Sequence, residues 1–171
     1  MKNTLYSLLL CFFVAAPSYS QAPSHPDDFL PMDFHRERRE TLRQKLPANS
    51  VAVLFSNPVR NRANDVNYMY HQDPNFYYLT GHQEPHSVLL IFKDEQQMNG
   101  ERFDELIFVR AHDALKELYD GPRLGQAGAK EKLEMEVAFE TPAFKDFPID
   151  FSQFDKVLFY DFKNDVRNTK E

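Results

Sequence analysis

The sequence predicts a mixed β-sheet of about five or six strands flanked by helices, an α/β fold. Three observations carry that expectation. Four short apolar runs read as strands: SVAVLF at 50–55, SVLLIFK at 87–93, LIFVR at 106–110 and KVLFYDF at 156–162. Two of them are joined by a polar connection containing Asn99-Gly100, a favoured hairpin turn pair. Stretches with helical character and few glycines or prolines stand between and before the strands.

The first helix is expected from a cap at Asp33 to about Leu46, ended by Pro47. Its apolar positions, Phe34, Leu42 and Leu46, predict a surface helix with one narrow buried stripe. Its basic run, Arg36, Arg38, Arg39, Arg43 and Lys45 with Glu37 and Glu40 interleaved, reads as a solvated face laced with ion pairs. Tyr68, Met69 and Tyr70 suggest a second short strand. The segment HQDPNFYYLTGHQEP follows, where prolines and a glycine forbid long regular structure. Helices are expected from Asp113 to Tyr119, stopped by Gly121-Pro122, and from Ala127 to about Glu134.

The first twenty residues differ in kind. Lys2 precedes an apolar run from Leu5 to Ala16, Pro17 breaks it, and Ser18-Tyr19-Ser20 leads to Gln21. This is the pattern of a secretory signal peptide cut between Ser20 and Gln21, and the run is shorter than the about 20 residues that span a bilayer. Export to a periplasm or to the outside follows. Residues 21–32 hold three prolines and read as a linker. Cys11 is the single cysteine and lies in the leader, so the mature chain forms no disulfide and offers no thiolate to zinc.

Composition narrows the function. The 171-residue chain has a net charge of −6, which argues against a nucleic-acid partner. Its 16 Phe and 8 Tyr argue against disorder. His82 and His86 have metal-ligand spacing, but Gly81 and Pro85 deny them a helix, so they read as exposed imidazoles in a turn; His71 could join them only through the fold. GPRLGQAG at 121–128 lacks the spacing of a phosphate loop. No G-x-S-x-G nucleophile turn is present. The 26 acidic residues form no readable pair and read as solvated surface.

Two longer stretches resemble a known family. Residues 70–86, YHQDPNFYYLTGHQEPH, and 117–133, ELYDGPRLGQAGAKEKL, are similar to the amino-terminal domain of aminopeptidase P, the Xaa-Pro aminopeptidases, whose domain type also occurs in prolidases and creatinases. The matching positions are Gln72, Asp73, Phe76, Tyr77, Tyr78, Leu79, Thr80, Gly81, Glu84 and Pro85, then Tyr119, Gly121, Arg123 and Gly125. The resemblance covers about residues 32–162. His71 stands where the family more often has Arg, and Tyr119 where Trp is common. Physical roles suggest themselves. Gly81 would end a short helical turn at positive φ. Phe76, Tyr78 and Leu79 would pin that turn into the core. Arg123 would hold a carboxylate or a carbonyl.

The resemblance implies more than the residues show. It implies a domain over 33–163, with 164–171 starting a linker to a catalytic domain. That domain would bind two divalent metals, usually manganese, through two Asp, one His and two Glu, and would cut peptides with proline at the second position. The amino-terminal domain would assist homo-oligomerisation and shape the substrate entrance, with Tyr77 as the aromatic nearest to it. No catalytic or metal-binding residue is assigned in this chain, which is expected to be inactive alone. The alternative is a stand-alone, non-catalytic binding or assembly module with the same fold.

Overall fold

The computed structural model describes residues 30–98 and 100–160. The leader at 1–20, most of the expected linker, Asn99 of the hairpin turn and the tail at 164–171 lie outside the described residues.

The chain opens with α1 (Met32–Lys45), followed by β1 (Ser50–Phe55), which matches its apolar run residue for residue. A two-stranded ribbon comes next, β2 (Asn61–Ala63) and β3 (Val66–Asn67), then α2 (Pro74–Thr80). The long hairpin β4 (Val88–Met98) and β5 (Glu101–Val109) forms the middle of the sheet. After it come α3 (Ala114–Asp120), α4 (Gly125–Lys132) and β6 (Val137–Glu140). Two short 3₁₀ turns, Thr141–Asp146 and Phe151–Gln153, lead to β7 (Lys156–Phe159).

The main sheet has the order β6-β5-β4-β1-β7. Its inner pairs are antiparallel and both outer strands add in parallel. This is the mixed sheet that the sequence predicts. Alternation divides its side chains between two faces. Ala52, Leu89, Ile91, Ile107 and Ala138 face the helices, where Leu46, Phe76, Leu79, Ala129 and Leu133 meet them. Val51, Val53, Leu90, Phe92 and Phe108 face the other way. Among the described residues no α-helix packs on that second face. Phe144, Phe147, Phe151 and Phe154 from the irregular stretch after β6 cover it. Phe108 sits edge-on to Phe144 and Phe147, with centroids 5.1 and 5.0 Å apart. Offset and edge-on rings at such spacings contribute beyond their buried area.

Several expectations need correction. Helix α1 starts at Met32, so this residue leaves the expected linker, and Pro31 takes the cap position with no side-chain hydrogen bond. Asp33 sits in the first turn and pairs with Arg36 instead of capping. The buried stripe runs through Met32, His35, Arg39, Leu42 and Leu46, at helical spacing. Phe34 lies off that stripe, edge-on to Tyr78. Tyr68, Met69 and Tyr70 form no strand; the ribbon uses the exposed residues 61–63 and 66–67 before them. Pro74 does not break structure. It opens α2, where its missing N–H costs nothing, and Asp73 caps the helix by accepting from the Phe76 N–H at 2.8 Å.

Gly81 ends α2 at φ +67, as expected of a left-handed cap. Space forbids any other residue there too. A Cβ would lie 2.8 Å from Met32 Cε and 2.9 Å from His35 Nε2. Gly81→Ala is therefore expected to destabilise the domain by about 2–3 kcal/mol, from backbone strain and overpacking together. Gly100→Ala, at φ +87 with open space around it, should cost only about 1 kcal/mol from strain alone. Urea unfolding of both variants checks the difference.

Candidate functional site

The ends of β1, β5, β6 and β7 and the start of β4 lie at one end of the sheet. β1 and β7 run parallel, β5 and β6 run parallel, and β4 begins opposite the end of β1. The connections 56–87 and 110–124 therefore share one end of the sheet. The resembling stretch 70–86 lies there whole, and the second, 117–133, begins there before entering α4.

Gln72 ties this end together. Its Oε1 accepts from the backbone N–H of Asn57 at 3.1 Å and of Asp73 at 2.8 Å. Its Nε2 donates to the carbonyls of His82 and Glu84 at 3.1 and 3.0 Å. One amide thus satisfies four backbone groups on three segments that have no sheet partners of their own. Glu84 adds a second tie. Its Oε2 accepts from Arg110 Nε and Nη2 at 3.2 and 3.1 Å, and its Oε1 accepts from the Leu124 N–H. Arg123 then donates to the Ala111 carbonyl at 3.2 Å and pairs with Asp120 at 3.4 Å, the carbonyl and carboxylate role expected of it. Gly121 closes α3 at φ +84. Gly125 opens α4 at φ +64, where a Cβ would meet the His112 ring at 2.5 Å. Pro85 is buried.

An open cleft of about 350 Å³ lies at this end, lined by Tyr70, His71, Gln72, Pro74, Tyr77 and Gln83. Tyr77, the substrate-entrance candidate, is half-buried in its wall. Burial pushes the Tyr70 phenol up to about 12, so it is a neutral hydroxyl at ordinary pH. The Gln72 amide is fully engaged with backbone. The walls are thus suited to stacking and hydrogen bonding. His71 is exposed, and its carbonyl accepts from Asn57 Nδ2 at 2.8 Å.

The three histidines do not converge. His86 is exposed, as expected. His82 is buried, contrary to expectation, with Nε2 3.0 Å from Ser87 Oγ. The turn folds inward because its backbone is held by Gln72 and by Thr80 Oγ1, which accepts from the His82 N–H. Burial first, then the Arg110 charge, lowers the His82 pKa to about 4. Among the described residues no group of three His, Cys, Asp or Glu is gathered to hold a metal.

Two further expectations fail here. Tyr78 does not pin α2 into the core; it is exposed, while Phe76 and Leu79 are buried. The basic face of α1 is not wholly solvated. Arg36 pairs with Asp33 and Glu134, and Arg43 with Glu40 and Asp104, as a laced surface should. Arg39, however, is 1% exposed. It donates from Nε to Glu105 at 2.8 Å and from Nη1 to the Leu79 carbonyl at 3.0 Å. Glu84 and Glu105 are correspondingly withdrawn from the surface expected of the acidic residues.

Comparison with known proteins agrees with this geometry. The family model described as the aminopeptidase P N-terminal domain matches residues 35–158. The chain belongs to that family. It is 36% identical over 115 residues to the Xaa-Pro aminopeptidase of Haemophilus influenzae, covering 67% of this chain and 26% of the relative. It is 36% identical over 106 residues to that of Escherichia coli, covering 62% and 23%. Among solved structures, aminopeptidase P from E. coli with the inhibitor Pro-Leu aligns at TM-score 0.68 and 27% identity, over 78% of this chain and 30% of that one. This aminopeptidase P N-terminal domain thus spans about a quarter of the length of the relatives it matches.

The buried His82 gives the domain a pH dependence of calculable sign. With the folded pKa near 4 and the unfolded value at 6.5, stability is full above 6.5. It falls as pH drops through 6.5 toward 4, where the unfolded chain binds the proton and the fold does not. The slope should approach about 1.4 kcal/mol per pH unit. Chemical unfolding at pH 7.5 and 5.0 should show the loss in the native chain and a much smaller one in His82→Gln.

Proposed function

We propose that this domain is the accessory amino-terminal part of an exported Xaa-Pro aminopeptidase. The complete protein would release the first residue of peptides that carry proline second. The observation that carries the reading is the match to the amino-terminal domain model over residues 35–158, together with relatives named for this activity of which the matched stretch is about a quarter. Export rests on the leader pattern at 1–20, with cleavage between Ser20 and Gln21.

The chemistry would lie in the part of the relatives that this chain does not match. By that resemblance two divalent metals, usually manganese, would be held there and would make water nucleophilic near neutral pH. The described residues of this chain do not fit such a centre, and no step of the reaction is routed through them. What they supply is position. Gln72, Glu84 and Arg123 fix the loops at one sheet end. Those loops hold the cleft wall that contains Tyr77. In an assembled enzyme, a homo-oligomer by the same resemblance, that wall would border the substrate entrance.

The test uses the purified 171-residue chain with manganese and a short Xaa-Pro peptide, beside the same chain continued into the catalytic portion of the E. coli relative. Hydrolysis is expected only in the joined protein. There, Tyr77→Ala should raise KM about three- to ten-fold with kcat little changed, because it removes binding contact and no reacting group. Hydrolysis by the 171-residue chain itself would overturn the reading.

A further inference from the structure

Six of the large apolar side chains left in solvent fall in two connections, and four more, Val157, Leu158, Phe159 and Tyr160, lie in or just after β7. Val66, Tyr68 and Met69 lie in the connection from β1 to β4, and Leu115, Leu118 and Tyr119 lie on α3 after β5. Register places both connections at the same end of the sheet, the end that carries the Tyr77 cleft. The exposures are large: 84% for Met69, 79% for Leu118 and 84% for Tyr119. On α3, residues 115, 118 and 119 follow helical spacing, so they form one apolar ridge. The helix buries none of its own residues, and the β2–β3 ribbon is exposed throughout. Neither element gains apolar burial within this domain.

Isolated domains rarely leave such a set in water; a rimmed apolar surface of this kind marks a contact. We propose that this sheet end is the docking face for the catalytic portion of the same polypeptide. The inference rests on the aminopeptidase reading and adds the surface through which the two parts meet. Two observations choose this occupant. β7 runs parallel to β1, so its last residue, Phe159, and Tyr160 after it lie toward this same end. The relatives continue for about three times the matched length again. Six large side chains at this exposure offer an area on the order of the roughly 600 Å² that the smaller interdomain contacts bury. Polar groups at the rim, Lys116 paired with Asp113 and Glu117 paired with His112, leave the ridge itself uncharged.

Hydroxyl-radical oxidation read by mass spectrometry tests the face directly, because methionine and tyrosine are its reactive reporters. The 171-residue chain alone is compared with the joined protein described above. Oxidation of Met69 and Tyr119 is expected to fall at least about five-fold on joining, as buried interface side chains lose solvent contact. Met98, at the far end of β4, should not change. The triple variant Leu115→Ser/Leu118→Ser/Tyr119→Ser should leave the Tm of the lone chain unchanged and lower that of the joined protein.

Unchanged oxidation of Met69 and Tyr119 in a joined protein that hydrolyses the peptide would keep the aminopeptidase reading and overturn the docking face. Protection without hydrolysis would do the reverse. Concentration-dependent protection in the lone chain would make a second copy the occupant and overturn the proposal. A lower Tm for the triple variant of the lone chain would assign the ridge to this domain's own folding, with the same consequence.

Discussion

The last carbonyls of a helix need partners, and in α2 two of them are met by side chains from α1. His35 donates from Nδ1 to the Tyr78 carbonyl at 2.9 Å, and Arg39 donates to the Leu79 carbonyl. Thr80 closes back on the Phe76 carbonyl at 2.7 Å. A seven-residue helix is too short to hold itself in water. Here it is held from outside, with a cation at the end where the helix dipole favours one. Arg39 can be buried because Glu105 on β5 meets it. The same helix pair accounts for Gly81, because His35 fills the space that a side chain would need. From this junction the chain passes straight into the turn that Gln72 and Glu84 fasten to the sheet end.

The junction links folding to the proposed role. The cleft wall at Tyr77 is part of α2, so its position is inherited from α1 and β5. An accessory domain that borders a substrate entrance needs a rigid wall more than a reactive one. Its ionisable groups behave accordingly. Burial holds His82 and Tyr70 neutral around pH 7, and burial followed by the carboxylates of Asp104 and Glu105 pushes Glu136 up. These are costs of packing, and His82 spends its Nε2 on the buried Ser87 hydroxyl, inside the fold.

Strands β1, β4, β5 and β7 were legible because apolar runs of four to seven residues bounded by turn residues have few other fates; β6, only four residues long, was not read. The family motif was legible as a pattern, and its glycines as conformational needs. The inside of the helical layer was not. Arg39 read as solvated surface, and His35 was not singled out, because charged and polar residues are rarely buried unless paired, and the partners lie 66 and 43 residues away. One local signal was available: positions 35, 39, 42 and 46 fall on one helical stripe. The aromatic lid escaped for a different reason. Phe144, Phe147, Phe151 and Phe154 have helical spacing, but Pro148 interrupts them, so their shared face is visible only once the sheet beneath is known. The β2–β3 ribbon is exposed throughout, and Ala63 and Val66 are too few apolar residues to make a hydrophobic signal.

Hydrogen exchange on Arg39→Met/Glu105→Gln tests the central claim most directly, since the double change leaves no unpaired buried charge. If α1 holds α2, the amides of Tyr77 and Gly81, which bond within α2, should lose protection about ten-fold or more while the β4–β5 amides keep theirs. Equal loss across the sheet, or no loss in α2, would contradict it.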